Sequence, residues 1–238
     1  MPRFDAVLFD LDDTLCDDSA SYRGAAELVA HEIAALRGVD ALALKAAYLE
    51  VSETFWQRLT PEQLGQRLGR LRVALWHEAL TACGFGDDVL AQQCADSYNT
   101  HRRSNLKLFP GAAGLLAELR ASGSKLGLVT NGFSETHREK ISILQIGESF
   151  DAIFIADEVG MIKPDPRLFV HACEALDCAP ERSAMVGDRY DRDVTGALDA
   201  GLYTIFINVH RITLPADARP PHATVDDLDA VKALIIEG

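Results

Sequence analysis

The chain has 238 residues, 48% of them hydrophobic and 25% charged, with a formal net charge of −13. That length suits one large domain or a core with a smaller insert, and the composition is that of a soluble globular chain able to bury a full core. The acidic balance, with no cluster of Lys and Arg, excludes a nucleic-acid footprint and requires any anionic substrate to be captured by a local positive site.

The N-terminal stretch MPRFDAVLFDLDD holds an apolar run too short for a secretory leader, and it turns acidic where small residues would follow. No apolar stretch approaches the ~20 residues needed to span a bilayer. The cysteines (Cys16, Cys83, Cys94, Cys173 and Cys178) are odd in number and form no CxxC pair. They read as reduced thiols of a cytoplasmic protein.

The first predicted strand is AVLF, residues 6–9, and it ends in three carboxylates, Asp10, Asp12 and Asp13. Residues 17–106 then contain no strand-like run. Their periodicity predicts helices over about 19–37, 41–58, 61–83 and 87–103. The first carries Leu28, Val29, Ile33 and Leu36 at helical spacing and stops at Gly38; Trp56 and Trp76 are expected to fill the core of this block. HRRSNLKLFPG, residues 101–111, leads the chain back. A helix over 112–123 follows, ending on Gly123, and then the runs LGLVT (126–130) and AIFIA (152–156). Asp165 and Pro166 open a helix over 165–177, the one as cap and the other at the first helical position. The strand AMVG (184–187), a helix over 193–201 ending on Gly201 and the strand YTIFIN (203–208) come next. A loop over 210–223 leads to a short strand at Thr224 and Val225 and a final helix.

The strand runs are continuous rather than alternating, as in a parallel sheet covered on both faces. Alternation with helices predicts an α/β, doubly wound, mainly parallel Rossmann-like core formed by residues 1–16 and 107–238, with an inserted all-helical domain over 17–106.

In such sheets function collects at the carboxyl ends of the strands. The first strand is followed by Asp10 and Asp12, the second ends in Thr130 and runs into Asn131 and Gly132, and the third is followed by KPDP with Lys163. The fourth is followed by GDRYDRD with Asp188, Asp191 and Asp193. Asp10, Asp12 and Asp188 together offer a hard, all-oxygen site suited to Mg2+. No His or Cys cluster competes for zinc, and the chain has no GxxxxGK[ST] loop, no GxGxxG after the first strand and no GxSxG elbow. Each piece alone is an ordinary turn, cap or surface lysine; their order at consecutive strand ends is what carries the argument.

With DLDDT (10–14), VTNG (129–132), KPDP (163–166) and GDRYDRD (187–193), the chain resembles the haloacid dehalogenase superfamily. Within it the chain looks like the phosphatases that carry a helical cap after the first strand. VTNGFSETHREKI (129–141) and YRG (22–24) look most like the N-acylneuraminate-9-phosphatase and YjjG-like nucleotidase branch. The resemblance implies that Asp10 is the nucleophile, forming an aspartyl-phosphate and binding Mg2+. It implies that Asp12 is the proton donor and acceptor, with its main-chain carbonyl on the metal, and that Asp188 is the second side-chain ligand. Thr130 and the backbone of Asn131 are implied to hold the phosphoryl group, Lys163 to neutralise it, and Asp193 to orient ligands or Lys163, with Gly132 supporting the loop.

The dehalogenases that name the superfamily need no leaving-group acid and typically lack Asp at the second position, so Asp12 favours a phosphatase. Phosphomutase chemistry shares that residue and stays open. A non-catalytic binding protein on this scaffold would be expected to lose a motif residue, and here all stand. The expected partner is a small phosphorylated metabolite, with no nucleic acid and no membrane, and the protein is expected to be a monomer or homodimer. Arg23 is a candidate substrate contact of the cap. Asp13 has no assigned chemistry, and Cys16 is expected to serve as a small buried apolar group.

Overall fold

The computed structural model describes residues 2–64 and 68–237. It divides into two compact units, Met1–Asp17 with Leu108–Gly238, and Asp18–Lys107.

The first unit is built on six strands, β1 (Ala6–Phe9), β2 (Lys125–Thr130), β3 (Ala152–Ile155), β4 (Ser183–Gly187), β5 (Tyr203–Ile207) and β6 (Ala223–Val225). They form one sheet in the order β3-β2-β1-β4-β5-β6, and every pair is parallel. All of β1 is buried, which explains its unbroken apolar run: Ala6 and Leu8 point to one covered face and Val7 and Phe9 to the other. The strand order reverses between β1 and β4, and this switch point is where such sheets open a crevice at their carboxyl ends.

The second unit consists of α1 (Asp18–Arg37), α2 (Ala41–Gln57), α3 (Pro61–Leu64), α4 (Leu68–Ala82) and α5 (Asp88–Asn105). The expected helix over 61–83 includes residues 65–67, which lie outside the described residues; α3 and α4 flank them. Trp76 is fully buried and stacks on Tyr48, with centroids 3.8 Å apart, while Tyr98 meets both rings edge-on. Trp56 is half-buried against Phe55. The buried stripe of α1 is Ala25, Ala26, Val29, Ala30 and Ile33, whereas Leu28 and Leu36 are exposed. Small side chains therefore form the packed face of α1. Leu28 falls well off that face and Leu36 sits in the last turn of α1, which a pattern built on large residues misreads.

In the sheet unit, α6 (Ala112–Ser122) packs against β2 and ends on Gly123 in the left-handed conformation. Next come α7 (Ser134–Leu144), α8 (Ala156–Val159), α9 (Pro166–Ala175), α10 (Thr195–Asp199) and α11 (Leu228–Lys232). Helices α9 and α10 cover the face to which Ala6 and Leu8 point, through Leu168, Phe169, Ala172, Cys173 and Ala197. Each large side chain buried there contributes ~1.5–3 kcal/mol. Asp165 caps α9, its Oδ1 accepting from the backbone N–H of Arg167 at 3.0 Å. A π-helical turn, Tyr190–Val194, leads from β4 into α10. Among the described residues, no helix is long and apolar enough to cross a membrane.

Candidate active site

Because β1 lies between β2 and β4, the residues that end these strands become neighbours. Asp10 follows β1, and its backbone N–H extends the ladder by donating to the Val186 carbonyl at 3.0 Å. Thr130 is the last residue of β2 and is buried. Asp188 follows β4 directly. Lys163 arrives from the turn between α8 and α9, fixed by a reciprocal pair: its N–H donates to Asn131 Oδ1 at 2.8 Å, and Asn131 Nδ2 donates to its carbonyl at 3.0 Å.

The Lys163 ammonium is buried and makes three contacts. It donates to Asp10 Oδ1 at 2.7 Å and to the Val129 carbonyl at 2.9 Å, and it lies 2.6 Å from Asp193 Oδ1. Burial works against its charge, but Asp10 and Asp193 outweigh that and raise its pKa. Burial pushes Asp10 up to about 6; Asp193 and Asp12 add to the rise and Lys163 opposes it. Asp188 and Asp193 are likewise raised, chiefly by burial. Thr14 Oγ1 donates to Asp188 Oδ1 at 3.2 Å. Asp193 Oδ2 accepts from the Arg189 N–H at 3.0 Å, and a Cβ on Gly187 would fall 2.3 Å from that same Oδ2. A bare backbone at 187 is what lets Asp193 come under the end of β4.

Asp10 and Asp193 share one ammonium, and the buried Asp188 beside them has His210 Nε2 3.4 Å from its Oδ2. Asp10, Asp188 and Asp193 each offer an oxygen within 4.8 Å of the others, an all-oxygen donor set that fits a hard divalent cation. A second grouping, Asp13, Asp188 and His210, shares Asp188. The metal role expected of Asp12 is through its main-chain carbonyl, which leaves its carboxylate available for proton work.

That carboxylate has its own cation. Lys140 Nζ donates to both oxygens of Asp12, at 2.7 Å each, and His137 Nε2 lies 3.4 Å from Oδ2. Although burial pushes the other way, Lys140 and then His137 hold Asp12 well below the usual carboxylate range. Cys16, fully buried, donates to the Leu11 carbonyl, with its sulfur 3.8 Å from Asp12 Oδ1. Neither Lys140 nor His137 is apparent in the four strand-end motifs. Both sit on α7, and a signal existed in their spacing, i and i+3 on one helix face directly after the VTNG loop. Gly132 belongs to that loop with φ +143°, and its missing side chain makes room for the His137 ring.

Arg189 is paired with Asp191 at 2.9 and 3.0 Å, and the Tyr190 hydroxyl donates to the Arg219 carbonyl at 2.8 Å. Within the helical unit, the exposed Arg23 reaches the Tyr22 hydroxyl at 3.1 Å and Glu53 at 3.3 Å, and Tyr22 donates to the same Glu53 oxygen at 2.8 Å.

Residues 4–201 match the family described as haloacid dehalogenase-like hydrolase. The chain is 35% identical over 245 residues to a phosphoserine phosphatase of Thermus thermophilus, covering 94% of this chain and 96% of that one. It is 31% identical over 246 residues to the human N-acylneuraminate-9-phosphatase, covering 99% and 95%. Among solved structures, the magnesium-bound HAD hydrolase YfnB of Bacillus subtilis has the same fold, with a TM-score of 0.76 at 22% identity over 98% of this chain and 99% of that one. The chain belongs to the haloacid dehalogenase-like hydrolases. Its relatives make it more particularly a phosphatase, and the all-parallel sheet with its helical layers is the fold of that family.

Proposed function

We propose that the protein is a Mg2+-dependent phosphomonoester hydrolase that acts on a small phosphorylated metabolite through an aspartyl-phosphate. The observation that carries this is the pair Asp10 and Asp12, two carboxylates at one strand end, each held by a separate lysine. Two carboxylates at one strand end that face different lysines are positioned to take different roles. Asp10, one of three clustered acids, takes the nucleophile's part. Asp12, turned to Lys140, takes the proton work.

Asp10, Asp188 and the Asp12 main-chain carbonyl would hold Mg2+, with Asp193 supporting them. When bound, Mg2+ supplies positive charge that offsets these carboxylates and draws charge from the phosphoryl oxygens. Asp10 attacks phosphorus while Asp12 gives a proton to the departing alkoxide; Asp12 then takes a proton from the water that releases phosphate. Lys163, the Thr130 hydroxyl and the Asn131 backbone offset charge on the equatorial oxygens. The helical unit is assigned the choice of substrate, with Arg23 its first candidate contact. The relatives named for phosphoserine and N-acylneuraminate 9-phosphate support a soluble phosphate monoester as the class.

Asp10→Asn, and separately EDTA, should abolish hydrolysis of an aryl phosphate. Turnover that survives both would overturn the mechanism. A panel of phosphorylated metabolites with Mg2+, scored by kcat/KM, would then name the substrate, while halide release without metal would redirect the assignment to dehalogenation.

A further inference from the structure

Asp12 is set apart from the rest of the acid cluster by how it is held. Its side chain is 29% exposed, and a carboxylate there would ordinarily turn about two bonds. Instead a single ammonium contacts both of its oxygens at 2.7 Å. The Lys140 side chain is only 7% exposed. Surface ion pairs contribute little and are easily replaced, but an ammonium taken out of water is costly and persists only when its partner is well placed.

The helix that carries Lys140 is itself anchored. The Ser134 N–H at its start donates to Asp157 Oδ2 at 2.6 Å. His137, one turn before Lys140, is buried with Nδ1 3.1 Å from the Phe133 carbonyl and Nε2 facing Asp12. Its ring fills the space above Gly132. The strand end bearing Thr130, the loop bearing Asn131 and the helix bearing Lys140 are thus one continuous piece of chain, so the groups that meet phosphate and the group that aims Asp12 are set by the same element.

We propose that Lys140, backed by His137, is the positioning residue of Asp12 in the second half of the reaction, the hydrolysis of the aspartyl-phosphate. This rests on the phosphatase reading above. A carboxylate whose two oxygens both face one ammonium is held in a single plane, with the lone pairs turned away from that ammonium left to meet a proton. In that half, a water oxygen bonds to phosphorus and the bond from phosphorus to the Asp10 oxygen breaks, returning its electron pair to Asp10. The water proton passes to Asp12. Lys140 fixes the plane of Asp12, and so the direction of the oxygen that takes that proton.

The test separates the two halves with p-nitrophenyl phosphate and Mg2+. kcat/KM reports on steps up to loss of nitrophenol, whereas kcat also contains hydrolysis of the intermediate. Lys140→Met should lower kcat by about 30-fold or more, within the range of a lost proton transfer, and KM should fall with it. Nitrophenol should then appear as a stopped-flow burst approaching one equivalent per enzyme, and Lys140→Arg should recover much of kcat and shrink the burst. If kcat and kcat/KM fall together without a burst, or if neither changes, the assignment is overturned. Should Lys140→Met fail to fold by circular dichroism, Lys140→Gln is read by the same criteria. Asp10→Asn is run alongside: if it has no turnover and no burst, the phosphatase reading stands whatever the Lys140 variants do. A wild-type enzyme that leaves the ester intact, or an Asp10→Asn enzyme as active as wild type, overturns that reading and this inference with it.

Discussion

The backbone of Gly132 lies so close to His137 that a Cβ at 132 would fall 2.2 Å from the ring carbon Cε1. Gly132 also has φ +143°, a conformation that L side chains rarely adopt. Gly132→Ala therefore faces backbone strain and overlap together, and is expected to cost ~2–4 kcal/mol. Adding His137→Ala should recover the overlap and leave the strain. Denaturant titration of the two single variants and the double variant measures that coupling. Additive losses would mean that the ring and the loop do not communicate.

Lys163 is the counter-charge of Asp10 and Asp193 in a buried site. Lys163→Met leaves both without it, and removing one partner of a buried pair costs ~3–5 kcal/mol. The sign with pH is definite. Losing the ammonium raises the folded-state pKa of the carboxylates further, so protonated side chains fit the variant well and ionised ones do not. The deficit relative to wild type should be small near pH 5, and it should grow as pH rises through and beyond 6. Urea midpoints at the two ends of that range check it. A deficit independent of pH would show that lost packing, not charge, is responsible.

The sheet and its four strand-end motifs were legible because parallel strands buried on both faces must be unbroken apolar runs, and because the crevice must take its polar groups from the residues that follow them. Lys140 and His137 were not. In SETHREK they stand among charged and polar neighbours, with no apolar stripe to mark an inward face. Only the approach of α7 to the end of β1 turns two of those residues inward. Thr14 was hidden for the same reason, since its partner Asp188 is 174 residues away. In the helical unit, Leu28 and Leu36 read as core residues, but alanines form much of the packed face of α1 and the leucines face water. Hydrophobic size and position on the helix pointed in different directions there, and position decided.

Asp13 shows how a carboxylate inside the motif can be conformational rather than chemical. It has φ +57°, in the left-handed region, and its N–H donates to the Cys16 carbonyl at 2.8 Å. Asp and Asn enter that region more readily than other residues with side chains. Asp13→Asn should keep stability within ~0.5 kcal/mol, whereas the β-branched Asp13→Val should lose ~1–2 kcal/mol or more. Activity of Asp13→Asn should stay near wild type. Thermal melts and aryl phosphate turnover compare the two. A large kcat loss in Asp13→Asn, with its melt unchanged, would instead give the Asp13 charge a part in the chemistry, through its neighbour His210 at 3.6 Å.

Asp10 should be a liability to the metal-free fold. Its pKa rises from 3.8 unfolded to about 6 folded, with burial the largest cause. A raised carboxyl pKa means that the folded protein holds the proton more tightly than the unfolded chain. The associated stability is present below pH 4, and it is lost as pH climbs through 6. About two pKa units correspond to ~3 kcal/mol, which the folded protein forgoes at pH 8 in order to keep Asp10 ionised. Asp10→Asn cannot ionise, so in EDTA it should be more stable than wild type at pH 8 by up to ~3 kcal/mol. The advantage should shrink toward pH 4. If Mg2+ is held as proposed, it should narrow the gap from the other side, raising the melting temperature of wild type more than that of Asp10→Asn, because an ion that binds the folded carboxylates and not the unfolded chain stabilises the fold. An inactive variant that melts higher than its parent would mark Asp10 as held against the fold's own preference for the sake of its charge. If Asp10→Asn is instead less stable at every pH, its pairing with Lys163 outweighs the cost of burying the charge.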